Sequence, residues 1–344
     1  MQQHEITRRI PLLNPDGSLN QPGYAKTQLP AYRRRDIKAS RARIKEWDYY
    51  LIMNDRFALA LTVSDNGYMG LDSVSVLDLT EGWEITRSPM SVMPMGRKHM
   101  PEQSDFGDVV STGKGYGLYF RNFGDRRVLV AQMDKFGDHS ALYARVELTD
   151  IPPESMVIAT PFAQPGHFYY NQKINCMRAS GTVDFEGRTY AFDPAESFAV
   201  LDWGRGVWPY ENTWYWGSGS GLAEGVPFGF NLGYGFGDTS AATENMLFYD
   251  GRAHKLGQIT FRLPQDRRGR PQFMEPWQIT SDDGRFEMDF VPVFDRAANL
   301  NVRLLKSVQN QVFGRFTGTA ILDDGRAIRV EDFMGFCEKV ENKW

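Results

Sequence analysis

The stretch S-F-A-V-L-D-W-G-R-G-V-W-P-Y-E-N-T-W-Y-W-G-S-G-S-G, from Ser197 to Gly221, holds four of the chain's eight tryptophans: Trp203, Trp208, Trp214 and Trp216. They surround Asp202, Arg205, Glu211 and Asn212. Indole rings are large, rigid and mostly apolar, so in a β-rich chain they can wall a pocket for an apolar ligand while their N–H groups hold a few polar neighbours. A carboxylate in such surroundings is desolvated, which raises its pKa and suits it to donate a proton near neutral pH. The same residue types also build plain β-cores, and an Asp beside an Arg also makes a structural ion pair.

Outward from this stretch, the whole chain has β character. Aromatic residues make up 13% and there are 33 glycines among 344 residues, with few runs of the strong helix formers. D-Y-Y-L-I-M and R-F-A-L-A-L-T-V-S-D flank Asn54-Asp55 as a hairpin, and further strands turn at Asn66-Gly67, Gly124-Asp125, Glu186-Gly187, Asp250-Gly251, Asp283-Gly284 and Asp324-Gly325. Strands recurring at intervals of roughly 8 to 14 residues with Gly-containing turns indicate antiparallel barrels or sandwiches. The length favours two domains. Residues 1 to 31, broken by Pro11, Pro15, Pro22 and Pro30, read as an extended arm. Arg33, Arg34, Arg35, Arg41, Arg43 and Lys45 then form a basic cluster read as a short solvated helix or edge strand, because no stacking aromatics interleave the arginines. Met90 to Asp105, with Met90, Met93, Met95 and Met100, reads as loop packing or a lid over a ligand.

Several function classes have no support. A net charge of −4 provides no field to draw in nucleic acid or an anionic membrane surface. No stretch approaches the roughly 18 apolar residues of a membrane span, and the N-terminus lacks an apolar signal region, so a soluble cytoplasmic protein is expected. Cys176 and Cys337 form no C-x-x-C pair, and His4, His99, His139, His167 and His254 are isolated, so no metal is expected. The glycine clusters around Gly113, Gly217 and Gly233 open no helix with a phosphate-binding lysine, and no G-x-S-x-G elbow occurs, so no nucleotide, cofactor or covalent nucleophile is expected. What remains is a set of polar residues in apolar context: Asp202, Arg205, Glu211, Asn212, Glu224, Asn231, Glu244, Asn245 and Glu338. A dry barrel interior could tune one of them as acid or base.

L-L-N-P-D-G near the start, K-E-W-D-Y-Y at 45 to 50, K-I-N-C-M-R-A-S-G at 173 to 181, L-D-W-G-R-G-V-W-P-Y-E-N-T-W-Y-W at 201 to 216 and the terminal G-F-C-E-K-V-E-N-K-W resemble the bacterial family filed as domain of unknown function 2804. The order Gly181, Asp202-Trp203, Trp214-Tyr215-Trp216 is more distantly similar to the carotenoid 1,2-hydratase and AttH-like proteins, whose relatives include kievitone hydratase and fungal Diels–Alderases. Tyr215 stands where that pattern has the middle Asp of W-D-W. The resemblance implies two lipocalin-like (calycin-type) antiparallel barrels, handling of apolar polycyclic or isoprenoid molecules without a cofactor, and Asp202 as the acid that protonates an alkene. Arg205, next but two to Asp202, would favour the ionised carboxylate.

The expectation is therefore an all-β protein of two lipocalin-like barrels, residues 1–200 and 201–344, with the Asp202 to Trp216 segment at or near their seam. The expected activity is hydration, isomerisation or cyclisation of an apolar isoprenoid or lipid-like molecule. Asp202 and Arg205 are the catalytic candidates. Trp203, Trp208, Glu211, Asn212, Trp214, Trp216, Asn231, Glu244 and Asn245 are the substrate-binding candidates. The alternative is a non-catalytic carrier that binds a hydrophobic ligand in the same pocket.

Overall fold

Residues 3–138, 140–302 and 305–343 are described by a computed structural model; His139 and Trp344 lie outside the described residues. Among these there is no α-helix, only 3-10 turns at Arg34–Asp36 and Arg41–Arg43, and no helix long and apolar enough to cross a membrane. Two curled antiparallel sheets carry the structure. The first runs, in spatial order, through Trp83–Arg87, Met69–Asp78, Phe57–Asp65, Ile44–Met53, Phe198–Val207, Phe168–Phe185, Leu142–Thr149, Arg127–Met133, Tyr116–Asn122 and Val109–Gly113. The second runs through Arg252–Lys255, Met246–Tyr249, Val226–Tyr234, Glu211–Ala223, Ala327–Lys343, Leu305–Ile321, Phe286–Val302, Trp277–Ser281 and Ile259–Arg262. Each sheet wraps around its own apolar core, the first including Leu59, Val76, Leu129 and Trp203, the second Phe230, Trp277, Phe290 and Phe316. The strand pattern indicates antiparallel β-structure of this kind, and the two lipocalin-like barrels are what the resemblance implies.

The division between the barrels falls at Trp208 to Tyr210 and not between residues 200 and 201. The strand Phe198–Val207 pairs on both edges within the first sheet, with Ile44–Met53 and Phe168–Phe185, so cutting at 200 would split a central strand. Pro209, which cannot continue a central ladder, sits between it and the first strand of the second sheet, Glu211–Ala223.

The strand Phe168–Phe185 serves two parts of the first sheet. Its first half pairs with Met156–Pro161 and Phe198–Val207, its second half with Leu142–Thr149 and Arg188–Phe192. A register shift between Ile174 and Met177, with Cys176 at φ 64°, bends it between the two, the usual effect of a bulge on a barrel strand. The N-terminal arm is not free: Gly23–Ala25 adds to Met156–Pro161, and the Gln3 carboxamide donates to Leu256 O at 2.7 Å and accepts from Thr243 N at 2.7 Å in the second barrel.

The basic cluster is solvated in part: Arg33, Arg35, Arg41 and Arg43 are exposed, in or beside the two 3-10 turns, while the rest is drawn into the fold. Arg34 pairs with buried Glu46, Arg43 donates to Trp208 O at 2.8 Å, and Lys45 is itself buried, because the strand Ile44–Met53 begins three residues before Trp47 and lies at the centre of the sheet. Met90 to Asp105 forms a short edge strand, Met90–Val92, followed by a loop over one end of the first barrel.

Candidate functional site

Side chains alternate faces along a strand, and this sorts the central stretch into two groups. Leu201, Trp203, Arg205 and Val207 point into the first barrel, while Val200, Asp202, Gly204 and Gly206 face the second. Across the ladder, Asp202 is flanked by Tyr49 on one side and Lys173 on the other. These three side chains therefore share the face that meets the second barrel.

That seam has two apolar parts. One contains Leu51, Val200, Trp216, Phe313 and Phe336; the other contains Trp47, Tyr169, Trp208, Trp214 and Phe236. Between them lies a polar island. Asp202 Oδ1 accepts from Asn171 Nδ2 at 2.6 Å and lies 2.9 Å from Lys173 Nζ. Its second oxygen has no protein partner among the described residues. Lys173 Nζ in turn sits 3.9 Å from the centre of the Trp216 ring, a cation–π contact strengthened by burial. Trp216 Nε1 donates to Asn231 Oδ1 at 2.7 Å, and Asn231 Nδ2 donates to Glu244 O at 2.8 Å. The buried Oδ1 of Asn171 has no partner.

Glu338 comes to the same place from the second barrel. Its Oε1 accepts from Trp214 Nε1 at 2.9 Å, and its Oε2 from Gln309 and Gln311 at 3.3 and 3.4 Å. Gln311 Nε2 also donates to Tyr49 Oη at 3.3 Å, which ties the two barrels together. Desolvation, opposed by the Trp214 hydrogen bond and the Lys173 charge, pushes the Glu338 carboxyl up to about 7. Burial likewise raises Glu244, against the opposing pull of Lys173. A carboxyl that is half protonated near neutral pH is what general acid chemistry requires. Among the described residues, no group of three His, Cys, Asp or Glu side chains is arranged to hold a metal ion.

The remaining sequence candidates divide by position. Arg205 does not meet Asp202, because residues three apart on a strand point to opposite faces. It is fully buried in the first barrel, 3.0 Å from Asp48 Oδ1, donating to the carbonyls of Trp47, Gly204 and Pro101 and stacked 4.0 Å from the Trp203 ring. Trp203 lies with it, away from the seam. Glu211 is exposed and pairs with Lys343, and Asn212 donates to Pro209 O at 2.7 Å. Asn245 accepts from Gly233 N and donates to Gly257 O, which fixes a turn of the second barrel. Glu224 is exposed and pairs with Arg326. Asp202, Trp214, Trp216, Asn231 and Glu244 come together at the seam, with Trp208 against Trp214 at 6.2 Å. Sequence reasoning missed Lys173, Asn171 and Tyr49 as members. The available signal was a lysine inside the run F-Y-Y-N-Q-K-I, where a charge on a buried strand demands a partner.

The two-barrel arrangement recurs in solved structures. An AttH-like protein from Nitrosomonas europaea matches with a TM-score of 0.54 at 13% identity, covering 86% of this chain and 92% of that one. CghA, crystallised with Sch210972, matches with a TM-score of 0.57 at 11% identity, covering 96% and 97%. Kievitone hydratase from Nectria haematococca matches with a TM-score of 0.47 at 11% identity, covering 97% and 98%. No curated protein matches by sequence. The family model for the domain of unknown function DUF2804 matches residues 3–344, and the chain belongs to that family.

Proposed function

We propose that the seam is the acid–base centre of an enzyme that hydrates, isomerises or cyclises an apolar small molecule. One observation carries this reading: a carboxyl poised near neutrality, Glu338, and a carboxylate with one open oxygen, Asp202, reach the same dry seam from different barrels. Glu338 donates its proton to a substrate double bond. The positive charge that develops on carbon is stabilised by the Asp202 carboxylate and by the face of Trp214. The open Asp202 oxygen then takes a proton, either from the neighbouring carbon, which completes an isomerisation, or from a water adding to the cation, which completes a hydration. Lys173 and Asn171 hold Asp202 in place through its other oxygen. Exchange with solvent returns both carboxyls to their starting states.

The test begins with the ligand. Organic extraction of the purified protein followed by mass spectrometry identifies what it carries, and the extracted compound is returned to the protein in D₂O. Deuterium incorporated at carbon, lost in both Glu338→Gln and Asp202→Asn while binding persists, is the expected result. Binding without any exchange in the unmodified protein would establish the alternative, a carrier.

A further inference from the structure

Four strands of the second sheet carry one row of side chains into the seam. Arg296, Gln311, Glu338 and Trp216 stand directly opposite one another across Phe286–Val302, Leu305–Ile321, Ala327–Lys343 and Glu211–Ala223, and residues paired in this way share a face of the sheet. Arg296, at the far end of the row, has no part in the chemistry above, yet every arm of its guanidinium is engaged. Nε donates to Glu84 Oε2 at 3.1 Å, and Nη2 donates to Ser75 Oγ at 2.6 Å and Thr86 Oγ1 at 3.3 Å. These acceptors stand on two paired strands of the first barrel, Met69–Asp78 and Trp83–Arg87. Nη1 donates in the other direction, to Gln311 Oε1 at 3.2 Å.

That last bond decides which way the Gln311 amide points. A carboxamide carries its acceptor on one side and its donors on the other, and an arginine can only donate. With its oxygen turned to Arg296, Gln311 presents Nε2 to Tyr49 Oη at 3.3 Å and to Glu338 Oε2 at 3.4 Å. Turned over, the amide would offer its oxygen to Glu338, accept the carboxyl's proton and withhold it from a substrate. A bond donated to the carboxylate favours the charged form, and a bond accepted from the acid favours the neutral one. The other charged and titratable groups that face Glu338 are Lys173, Asp202, Tyr49 and Tyr169 on strands of the first barrel; Cys337, beside it in the chain, turns into the core of the second. Among the described residues only Tyr49 of this group bonds Gln311, and it does so at the amide nitrogen.

We infer that Arg296 is a positioning residue for Glu338: anchored on the first barrel, it locks the Gln311 amide with its N–H toward the acid. The inference rests on reading Glu338 as the acid, but its test does not use turnover. The Glu338 titration is followed in the full chain by infrared difference spectroscopy of the carboxyl band, with Glu338→Gln identifying that band. Arg296→Met should raise the pH at which Glu338 loses its proton by at least about one unit, since the lost charge and the freed amide both favour the neutral carboxyl. In a Gln311→Leu background, where no amide remains to turn, the same substitution should move it less than half as far. A shift half as large or more in that background would mean that Arg296 acts as a bare charge, and no upward shift in the native background would mean that it only fastens the barrels together; either result overturns the proposal. Should Arg296→Met fail to fold, Arg296→Lys, which keeps the charge and loses the planar fork, is read in the same cycle against the same two results. Titration coupled to Arg296 through Gln311 in a protein that puts no deuterium on carbon would remove the acid–base reading and leave the positioning intact; deuterium exchange with uncoupled titration would do the reverse.

Discussion

At the residue level the seam is governed by where charge is left without water. Glu338 titrates near 7 in the folded chain against an ordinary value of 4.5, so the folded state holds its proton through a range where the unfolded state has lost it. Stability from this group is therefore complete below about pH 4.5 and drains away as the pH rises through about 7, by about 3 kcal/mol. Glu338→Gln removes this slope: urea midpoints measured at pH 5 and pH 8 should differ less in the variant than in the native chain. A variant with the native slope would show that another group is responsible. Lys173 sets a second expectation. Replacing it by Met strands Asp202 in the seam with only Asn171 as partner, and removal of one member of a buried pair costs about 3–5 kcal/mol. Adding Asp202→Asn to Lys173→Met should restore a large part of that loss, whereas strictly additive effects in the double-mutant cycle would mean the two side chains do not interact.

Strands place these residues, and two glycines show how tightly. A Cβ on Gly204 would stand 1.8 Å from the Trp47 indole, which lies flat across that strand. Because the ring is confined between Tyr169 and Trp208, Gly204→Ala should cost about 3 kcal/mol through overpacking, read as a lowered urea midpoint. At Gly233 the clash is with Glu244, from its carboxyl at 2.1 Å back to Cγ at 2.3 Å, so one side chain has to swing aside where at Gly204 a confined ring would have to. Gly233→Ala should therefore lower the urea midpoint less than Gly204→Ala; a midpoint as low as that of Gly204→Ala would refute the distinction. The elements themselves were legible from sequence, since turns such as Asp250-Gly251 and Asp324-Gly325 and the alternation around Val74 and Val76 are local signals. Part of the proposed site was legible for the same reason: Asp202, Trp214 and Trp216 sit in one aromatic-rich stretch. Lys173, Asn171 and Tyr49 were not, because they reach Asp202 through ladder register set by strands 29 to 153 residues away in sequence. The Asp202 and Arg205 pairing was wrong for a reason already visible in the chain, the odd spacing that puts two strand residues on opposite faces.

For the molecule as a whole, the seam makes the two barrels interdependent. Neither barrel alone assembles the site: the Asp202, Lys173 and Tyr49 side chains come from the first, and Glu338, Trp214, Trp216 and Glu244 from the second. Trp216 is the main link. It packs edge-on against Tyr49 of the first barrel at 6.1 Å and Phe336 of the second at 4.8 Å, carries the Lys173 ammonium on its face, and donates to Asn231. Truncating such a ring costs about 3–5 kcal/mol through the cavity it leaves, and here that loss falls on contacts shared by both sheets. If the barrels form one cooperative unit, Trp216→Ala should speed amide exchange at the centre of both sheets together, at Leu59 and Val76 in the first and at Ile279 and Phe290 in the second. Exchange that quickens in the second sheet alone would mean that the first barrel is stable by itself and that the seam is a contact between independent units. The geometry of Asp202 against Glu338 would then vary with how the barrels dock, and proton transfer between them would lose the fixed distance on which the proposed chemistry depends.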